Sequence, residues 1–125
     1  MKLCLPLMFA RCCALALPAM AGTEVGTIRD LWVRDSDGLI WVDLTEVPGT
    51  TPFGPGHPAC AAGTRYWIVP NETTDTGKRL YDSLLAAQTA GRSVVVTIHG
   101  KNTCNRWGDG EDIDTIVVWG PGGPQ

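Results

Sequence analysis

The sequence has little positive charge, and that shortage argues against a large class of functions. Only 10 of its 125 residues are Lys or Arg, against 13 Asp and Glu, which gives a formal net charge of −3. The basic residues are scattered and form no stripe. A nucleic-acid-binding protein needs such a stripe to displace the counterions of the phosphate backbone. We therefore predict that nucleic acid is not a partner.

The sequence also lacks an uninterrupted apolar run that is long enough for a membrane anchor. A membrane-spanning helix needs about 20 consecutive apolar residues, and Arg11 breaks the apolar stretch that follows Lys2. That stretch ends in the letters AMA at Ala21. A basic start, an apolar body and small residues before the cleavage point are typical of a secretory signal peptide. We predict a signal peptide over residues 1–21, no membrane span, and a secreted or periplasmic protein.

Removal of residues 1–21 leaves 104 residues, of which 8 are basic and 13 acidic, so the net charge becomes −5. That length is sufficient for one domain with one modest core. We place this domain at residues 22–119, because no repeat or linker divides them. The last letters, GPGGPQ at 120–125, predict a disordered tail, since such a segment can form neither a strand ladder nor a core.

Cysteine is scarce outside the predicted signal peptide, which contains three of the five cysteines. The two that remain are Cys60 and Cys104. In an oxidising compartment two remaining cysteines most simply form one disulfide bond, and we predict that bond. The alternatives are two free thiols or a metal site, which only His57 and His99 could complete.

The order of turn signals and periodic segments predicts a mainly β protein. A hairpin over 23–46 turns at Asp35–Gly38, where Asp, Ser and Gly supply turn chemistry, and Gly26 is a candidate bulge. Further strands are predicted at 64–70, 93–99 and 114–120, with a helix that starts near residues 74–76 and ends before Gly91. Five strands with one helix between the third and fourth form an OB-fold, a partly open barrel. The predicted disulfide would then join the start of the third strand to the loop between the last two.

The predicted helix has clear signals at both ends. Thr74, Asp75 and Thr76 offer oxygens to cap its first turn, although Gly77 just inside weakens that turn. Gly91 stands where a left-handed C-terminal cap is favoured. Between them, Leu80, Leu84 and Leu85 fall at helical spacing and predict an apolar stripe. We expect the helix to close one end of the barrel, with these three leucines in the core.

The sequence at the junction of the predicted helix and the fourth predicted strand resembles that of a known family. The residues that carry the resemblance form the pattern L-Y-x3-L-x3-T-x-G-x2-V-x-V: Leu80, Tyr81, Leu85, Thr89, Gly91, Val94 and Val96. This pattern resembles the small secreted B subunits of bacterial toxins with one A chain and five B chains, of the subtilase-cytotoxin and pertussis-like type. The similarity in letters covers some 20 residues, and the rest agrees in layout.

The resemblance implies an OB-fold subunit that assembles into a ring, a homo-pentamer, binds cell-surface glycans and delivers a separate catalytic A chain. We therefore predict a secreted, non-catalytic binding subunit with a glycan ligand. The alternative is a monomeric periplasmic or secreted protein of structural or inhibitor-like type that binds another protein.

The sequence has no constellation that is typical of an enzyme or a metal site. No serine or cysteine motif accompanies His99, as an activated nucleophile would require, so we interpret it as a strand end at the barrel rim. The acidic letters WGDGEDID at 107–114 lack calcium-loop spacing and are interpreted as a solvated turn. His57, in the loop 47–60 rich in proline and glycine, is expected to be exposed. We predict no catalytic residue, metal or cofactor.

Trp107 is the tryptophan for which a binding role is predicted. Two or three of the five tryptophans must fill so small a core, but Trp107 lies in a polar loop. An exposed indole with Arg106 and Asp109 beside it could hold a sugar face or a partner chain. The alternative is that the Trp107 ring folds over the predicted bridge at Cys104.

Overall fold

The computed structural model describes residues 21–50, 52–53, 56–120 and 123. The predicted signal peptide lies outside this part of the chain except for its last residue, Ala21. The predicted tail also lies outside it, apart from Gly120 and Gly123. Within the described residues, no helix is long and apolar enough to cross a membrane.

Five strands and one helix form a closed barrel. The strands follow the order β1-β2-β3-β5-β4 around the barrel, and β1 also pairs with β4. Every pairing is antiparallel except the parallel pair β3–β5. This confirms the predicted OB-fold, with its helix between the third and fourth strands. The elements are β1 Thr23–Val33, β2 Ile40–Glu46, β3 Trp67–Ile68, α1 Asp75–Ala90, β4 Val96–Gly100 and β5 Glu111–Val118, with short 3-10 turns at Ala59–Ala61 and Gly91–Ser93.

The hairpin between β1 and β2 turns where the sequence predicts it. Gly38 adopts a positive φ of 71°, which glycine tolerates without a Cβ clash. The Asp37 carboxylate accepts a hydrogen bond from the Leu39 backbone N–H at 3.1 Å and two more from the Arg34 side chain. The turn is therefore fixed by its own side chains.

The bulge in β1 lies at Arg29, between Ile28 and Asp30, and the prediction that Gly26 marks it is wrong. Gly26 pairs in regular register with both neighbouring strands. Its lack of a side chain serves close packing instead, because a Cβ there would lie 2.5 Å from the Thr45 carbonyl oxygen. Arg29 forms an ion pair with the buried carboxylate of Asp43.

Helix α1 begins after Thr74, one of the three residues predicted to cap it. Thr74 Oγ1 accepts a hydrogen bond from the Gly77 backbone N–H at 3.1 Å. Glycine is a poor helix former, but a Cβ on Gly77 would overlap the Asn71 carbonyl oxygen. The close approach of the preceding loop therefore requires glycine here. At the other end, Gly91 has a positive φ of 78° but an extended ψ, so it is not the left-handed helical cap that the sequence predicts.

Only one of the three helix leucines is fully buried. Leu84 is 0 % exposed, and Leu80 packs partly buried against the same core. Leu85 is 41 % exposed, so its prediction as a core residue is wrong. Neighbouring helix residues point about 100° apart, and the face centred on Leu84 and Ala87 leaves Leu85 at the solvent edge.

The core fills the barrel between the strands and α1. It combines the inward residues of β2 and β4 with one tryptophan from β3. The residues at 0 or 1 % exposure that form it are Val42, Leu44, Trp67, Val69, Leu84, Val96, Ile98 and Ile113.

The predicted disulfide is present. Cys60 and Cys104 are bonded across 44 positions of the sequence, with Cα atoms 6.3 Å apart. The bond joins the segment that leads into β3 to the loop between β4 and β5. Since β3 has only two residues, this covalent link restrains the part of the barrel with the fewest backbone pairs.

Replacing both cysteines, Cys60→Ala with Cys104→Ala, is expected to lower the free energy of unfolding by about 4 kcal/mol, because the unfolded chain regains the freedom of a long loop. Urea unfolding of the double variant and of oxidised wild type measures the difference. Reduced wild type is the control, and its stability should match that of the double variant. A double variant as stable as the oxidised protein would contradict the expected contribution.

Candidate functional site

Four aromatic rings form an open cavity on one face of the barrel, which we call the aromatic cradle. The rings belong to Trp32, Trp41, Tyr66 and Trp107, and the cavity has a volume of about 260 Å³. The remaining lining residues are Arg34, Leu39, Ile68 and Asp109.

Strand register produces the centre of the cradle. Trp32 and Trp41 are directly paired across β1 and β2, and their rings are 5.4 Å apart between centroids. Tyr66, immediately before β3, meets the Trp32 ring edge-on at 5.3 Å. Because strand residues alternate between two faces, the buried side chains of Ile40 and Val42 leave Trp41 on the outer side. The three rings therefore form one continuous apolar surface.

A cation lies between two of the tryptophans. The Arg34 guanidinium carbon is 4.5 Å from the Trp107 ring centroid and 5.6 Å from that of Trp41, within the range of cation–π attraction. Asp37 holds the same guanidinium with hydrogen bonds of 2.6 and 2.9 Å. The hydrogen bond from Arg34 lowers the pKa of Asp37 to about 2. Arg34 is thus fixed in the rim as a charged hydrogen-bond donor.

Arg106 lies behind the cradle and does not line it. Its guanidinium donates to both carboxylate oxygens of Glu72, at 2.6 and 2.9 Å, and to the Asp37 carbonyl at 2.7 Å. The Arg106 side chain is only 22 % exposed. The hydrogen bond from Arg106 also lowers the pKa of Glu72. Arg106 therefore joins three loops and positions its neighbour Trp107.

Asp112 restrains the loop that carries Trp107. Its carboxylate accepts hydrogen bonds from the backbone N–H groups of Asn105 and Arg106 and from the Thr103 hydroxyl, at 2.7 to 3.2 Å. A carboxylate that accepts several N–H bonds holds a loop in one conformation. The stretch 107–114 is therefore only partly the solvated turn that the sequence predicts, because Glu111 and Asp112 are buried at 0 and 1 % exposure.

Of the three candidate residues from the sequence, the structure brings two into the cavity. Trp107 is 39 % exposed and Asp109 is exposed, and both line the cradle. Trp32 and Trp41 were not among the binding residues predicted from the sequence. Their symmetric placement about the Asp35–Gly38 turn was the available signal, because a hairpin brings residues at equal distance from its turn into register.

The two histidines differ from each other in burial. His99 is exposed at the barrel rim, as predicted, with its Nδ1 3.1 Å from the Thr23 hydroxyl. The prediction that His57 is exposed is wrong: its side chain is 3 % exposed. Its ring stacks on Phe53 at 3.9 Å, and its Nδ1 lies 2.5 Å from a carboxylate oxygen of Glu111. His57 therefore packs against the barrel, although it lies in a segment rich in proline and glycine.

Among the described residues, no three His, Cys, Asp or Glu side chains are grouped so that they could hold a metal ion. Neither histidine is hydrogen-bonded to a serine or cysteine in that part of the chain. The site that the geometry offers is thus the aromatic cradle, which can bind through ring faces and a few polar groups at its edge.

A buried acid lies inside the barrel. Glu24 is 1 % exposed and accepts a hydrogen bond from the Trp67 indole N–H at 2.7 Å. Burial raises the pKa of Glu24 to about 7, although that hydrogen bond and the charge of Arg65 partly oppose the increase. Its second carboxylate oxygen has no hydrogen-bond partner among the described residues. The protonated form is therefore the one that suits this position.

The substitution Glu24→Gln is expected to remove part of the pH dependence of stability. Because the folded pKa is raised from 4.5 to about 7, the folded protein binds more protons in this window, and wild-type stability falls as the pH rises through it. The variant should be equally stable near pH 4 and more stable by about 3 kcal/mol above pH 7. Urea unfolding across this range measures the difference.

Asp114→Asn is the control for this experiment, because Asp114 is an exposed carboxylate on β5. Its stability should follow the wild-type pH profile. If Glu24→Gln also follows the wild-type profile, the pKa shift does not contribute to stability.

Comparisons of the chain with protein-family models, with curated proteins and with solved structures found no match. The toxin-subunit resemblance therefore stays a prediction from the letters of residues 80–96.

Proposed function

We propose that the protein is a secreted, non-catalytic binding subunit that recognises a cell-surface glycan through the aromatic cradle. The observation that carries this proposal is the position of the cradle. It lies over β2 and β3 between the β1–β2 and β4–β5 loops. OB-folds bind oligosaccharides and oligonucleotides on that face and with those loops.

The chemistry of the cradle suits a sugar. Indole and phenol rings offer flat apolar faces, against which the C–H face of a pyranose packs, and they carry polar atoms at their edges. Arg34 and Asp109 add a charged donor and an acceptor at the rim, which can bind ring hydroxyls. Ligand sites commonly combine apolar walls with a few polar groups in this way. The volume of about 260 Å³ is on the scale of a small sugar unit.

An oligonucleotide fits the charges of this surface less well. Bases also stack on aromatic rings, but single-stranded nucleic acid needs a positively charged groove along its backbone. The two arginines beside the cradle are each paired with a carboxylate, Arg34 with Asp37 and Arg106 with Glu72. The chain is net negative. These charges favour a neutral or weakly charged glycan.

The substitution Trp107→Ala is expected to weaken glycan binding at least about tenfold, since a few aromatic residues of a site contribute most of its binding energy. Trp32→Ala should have a similar effect, because its ring is also 37 % exposed and lines the cavity. A glycan array with wild type identifies the ligand, and titration calorimetry measures the variants.

Leu85→Ala is the matched control. Leu85 is an apolar residue of similar exposure, 41 %, but lies on α1 outside the cradle, so this variant should bind as wild type. Wild type that binds no glycan on the array would contradict the sugar ligand. Unchanged affinity of both tryptophan variants would place the site elsewhere.

The resemblance supports a homo-oligomeric ring, a pentamer, that carries a separate toxin A chain. Size-exclusion chromatography with light scattering is expected to give five times the mass of the mature chain. A monomer would contradict the ring. A monomer that also binds no glycan on the array would favour the alternative, which is a monomeric secreted protein whose cradle accepts an apolar side chain of another protein.

A further inference from the structure

A buried carboxylate lies where the predicted mature chain begins. Glu111 is 0 % exposed. Its Oε1 accepts hydrogen bonds from the backbone N–H groups of Gly22, at 3.0 Å, and Asn102, at 2.9 Å. Its Oε2 lies 2.5 Å from His57 Nδ1. Three donors from three different parts of the chain thus converge on one acid.

Glu111 has no Lys or Arg partner among the described residues; its ion-pair geometry involves only His57. The backbone N–H groups of Gly22 and Asn102 are uncharged donors. A full positive charge at the Gly22 nitrogen would therefore strengthen its interaction with this buried carboxylate.

Gly22 is held at this carboxylate from several sides. Its carbonyl accepts a hydrogen bond from the Gly100 N–H at 2.9 Å, which extends the pairing of β1 with β4. A Cβ at Gly22 would overlap His57 Nδ1 and lie 2.5 Å from Glu111 Oε2. Only glycine fits between these two side chains. The preceding residue, Ala21, is exposed.

The Gly22 nitrogen donates to Glu111 and is an amide in the precursor. Removal of the signal peptide would convert this amide to an amine. We propose that Glu111 and His57 form an intramolecular site for the mature amino terminus, and that cleavage after Ala21 completes a buried ion pair between the Gly22 ammonium and Glu111. This proposal rests on the predicted cleavage and is independent of glycan binding.

The chemical step is peptide hydrolysis by a signal peptidase. Water adds across the Ala21–Gly22 bond; its hydroxyl group joins the Ala21 carbonyl, and the C–N bond breaks. The released Gly22 amine takes up a proton from solvent at neutral pH. The site thus gains a positive charge at the nitrogen that donates to Glu111.

Processing would therefore strengthen the closure of the barrel. The Gly22 ammonium lies at the start of β1, and Gly22 is also bonded to β4 through Gly100. His57 attaches the loop before β3 to the same carboxylate. The precursor has only the amide hydrogen bond at this point, so the full stability of the domain would be reached only after export and cleavage.

The test compares two exported proteins. One is wild type, whose intact mass must correspond to a chain that starts at Gly22 with one disulfide. The other has a single alanine inserted between Ala21 and Gly22, so that cleavage after Ala21 leaves one residue in front of Gly22. Intact mass establishes both starts. In urea unfolding at pH 7, the unfolding equilibrium constant of wild type is expected to be roughly tenfold lower than that of the protein with the inserted alanine.

The pH dependence separates charge from steric effects. An ammonium that is stabilised in the folded state has a raised pKa. Its contribution to the stability of the protein is complete below the ordinary α-amino pKa of about 8 and is lost as the pH rises above the raised pKa. The difference between the two proteins should therefore shrink by pH 10. The other titratable groups around the Gly22 nitrogen and the first residues of β1, which are His57, Glu111, Glu24 and His99, are common to both proteins.

The last variant is Glu111→Gln, introduced both into wild type and into the protein with the inserted alanine. It should abolish the difference in stability between these two proteins at pH 7. If this variant does not fold, the pH comparison still decides the matter. The proposal is overturned by a mature mass that starts elsewhere, by equal stability of the two proteins at pH 7, or by a difference that persists unchanged at pH 10.

Discussion

The closure of the barrel through the two-residue strand β3 is the constraint on which the rest of the structure depends. Trp67 and Ile68 pair with β2 on one side and with β5 on the other. Trp67 is fully buried and donates its indole N–H to the buried acid Glu24. These few backbone pairs form the weakest seam of the barrel, whose other closure is the pairing of β1 with β4. The buried tryptophan and the disulfide just before the strand supply the missing restraint.

The aromatic cradle is a direct result of this closure. Trp32 and Trp41 come from the hairpin, Tyr66 from the residue before β3, and Trp107 from the loop after β4. These positions are distant in the chain and meet only because β2, β3 and β5 are neighbours. Arg106, bonded to the β1–β2 turn and to the loop before α1, fixes the last ring. A site with this much support can remain open without a ligand, which reduces the entropy lost on binding.

The fold was predictable from the sequence because element order and turn chemistry are local properties. The cradle was only partly predictable: the polar loop around Trp107 pointed to an exposed ring, but the pairing of Trp32 with Trp41 depends on strand register. His57 was predicted wrongly because proline and glycine describe a loop's backbone and not what it packs against. The burial of Glu111 had no sequence signal either, since its partners, among them Gly22, come from distant parts of the chain.

The disulfide has a consequence for where the protein can work. Cys104 is three positions from Trp107, and Cys60 is three positions from His57, so one covalent bond restrains both the loop of the cradle and the loop over the buried acid. Thiols remain reduced in the cytosol, where this bond does not form. We expect both loops, and with them the aromatic cradle, to acquire their final shape only in an oxidising compartment.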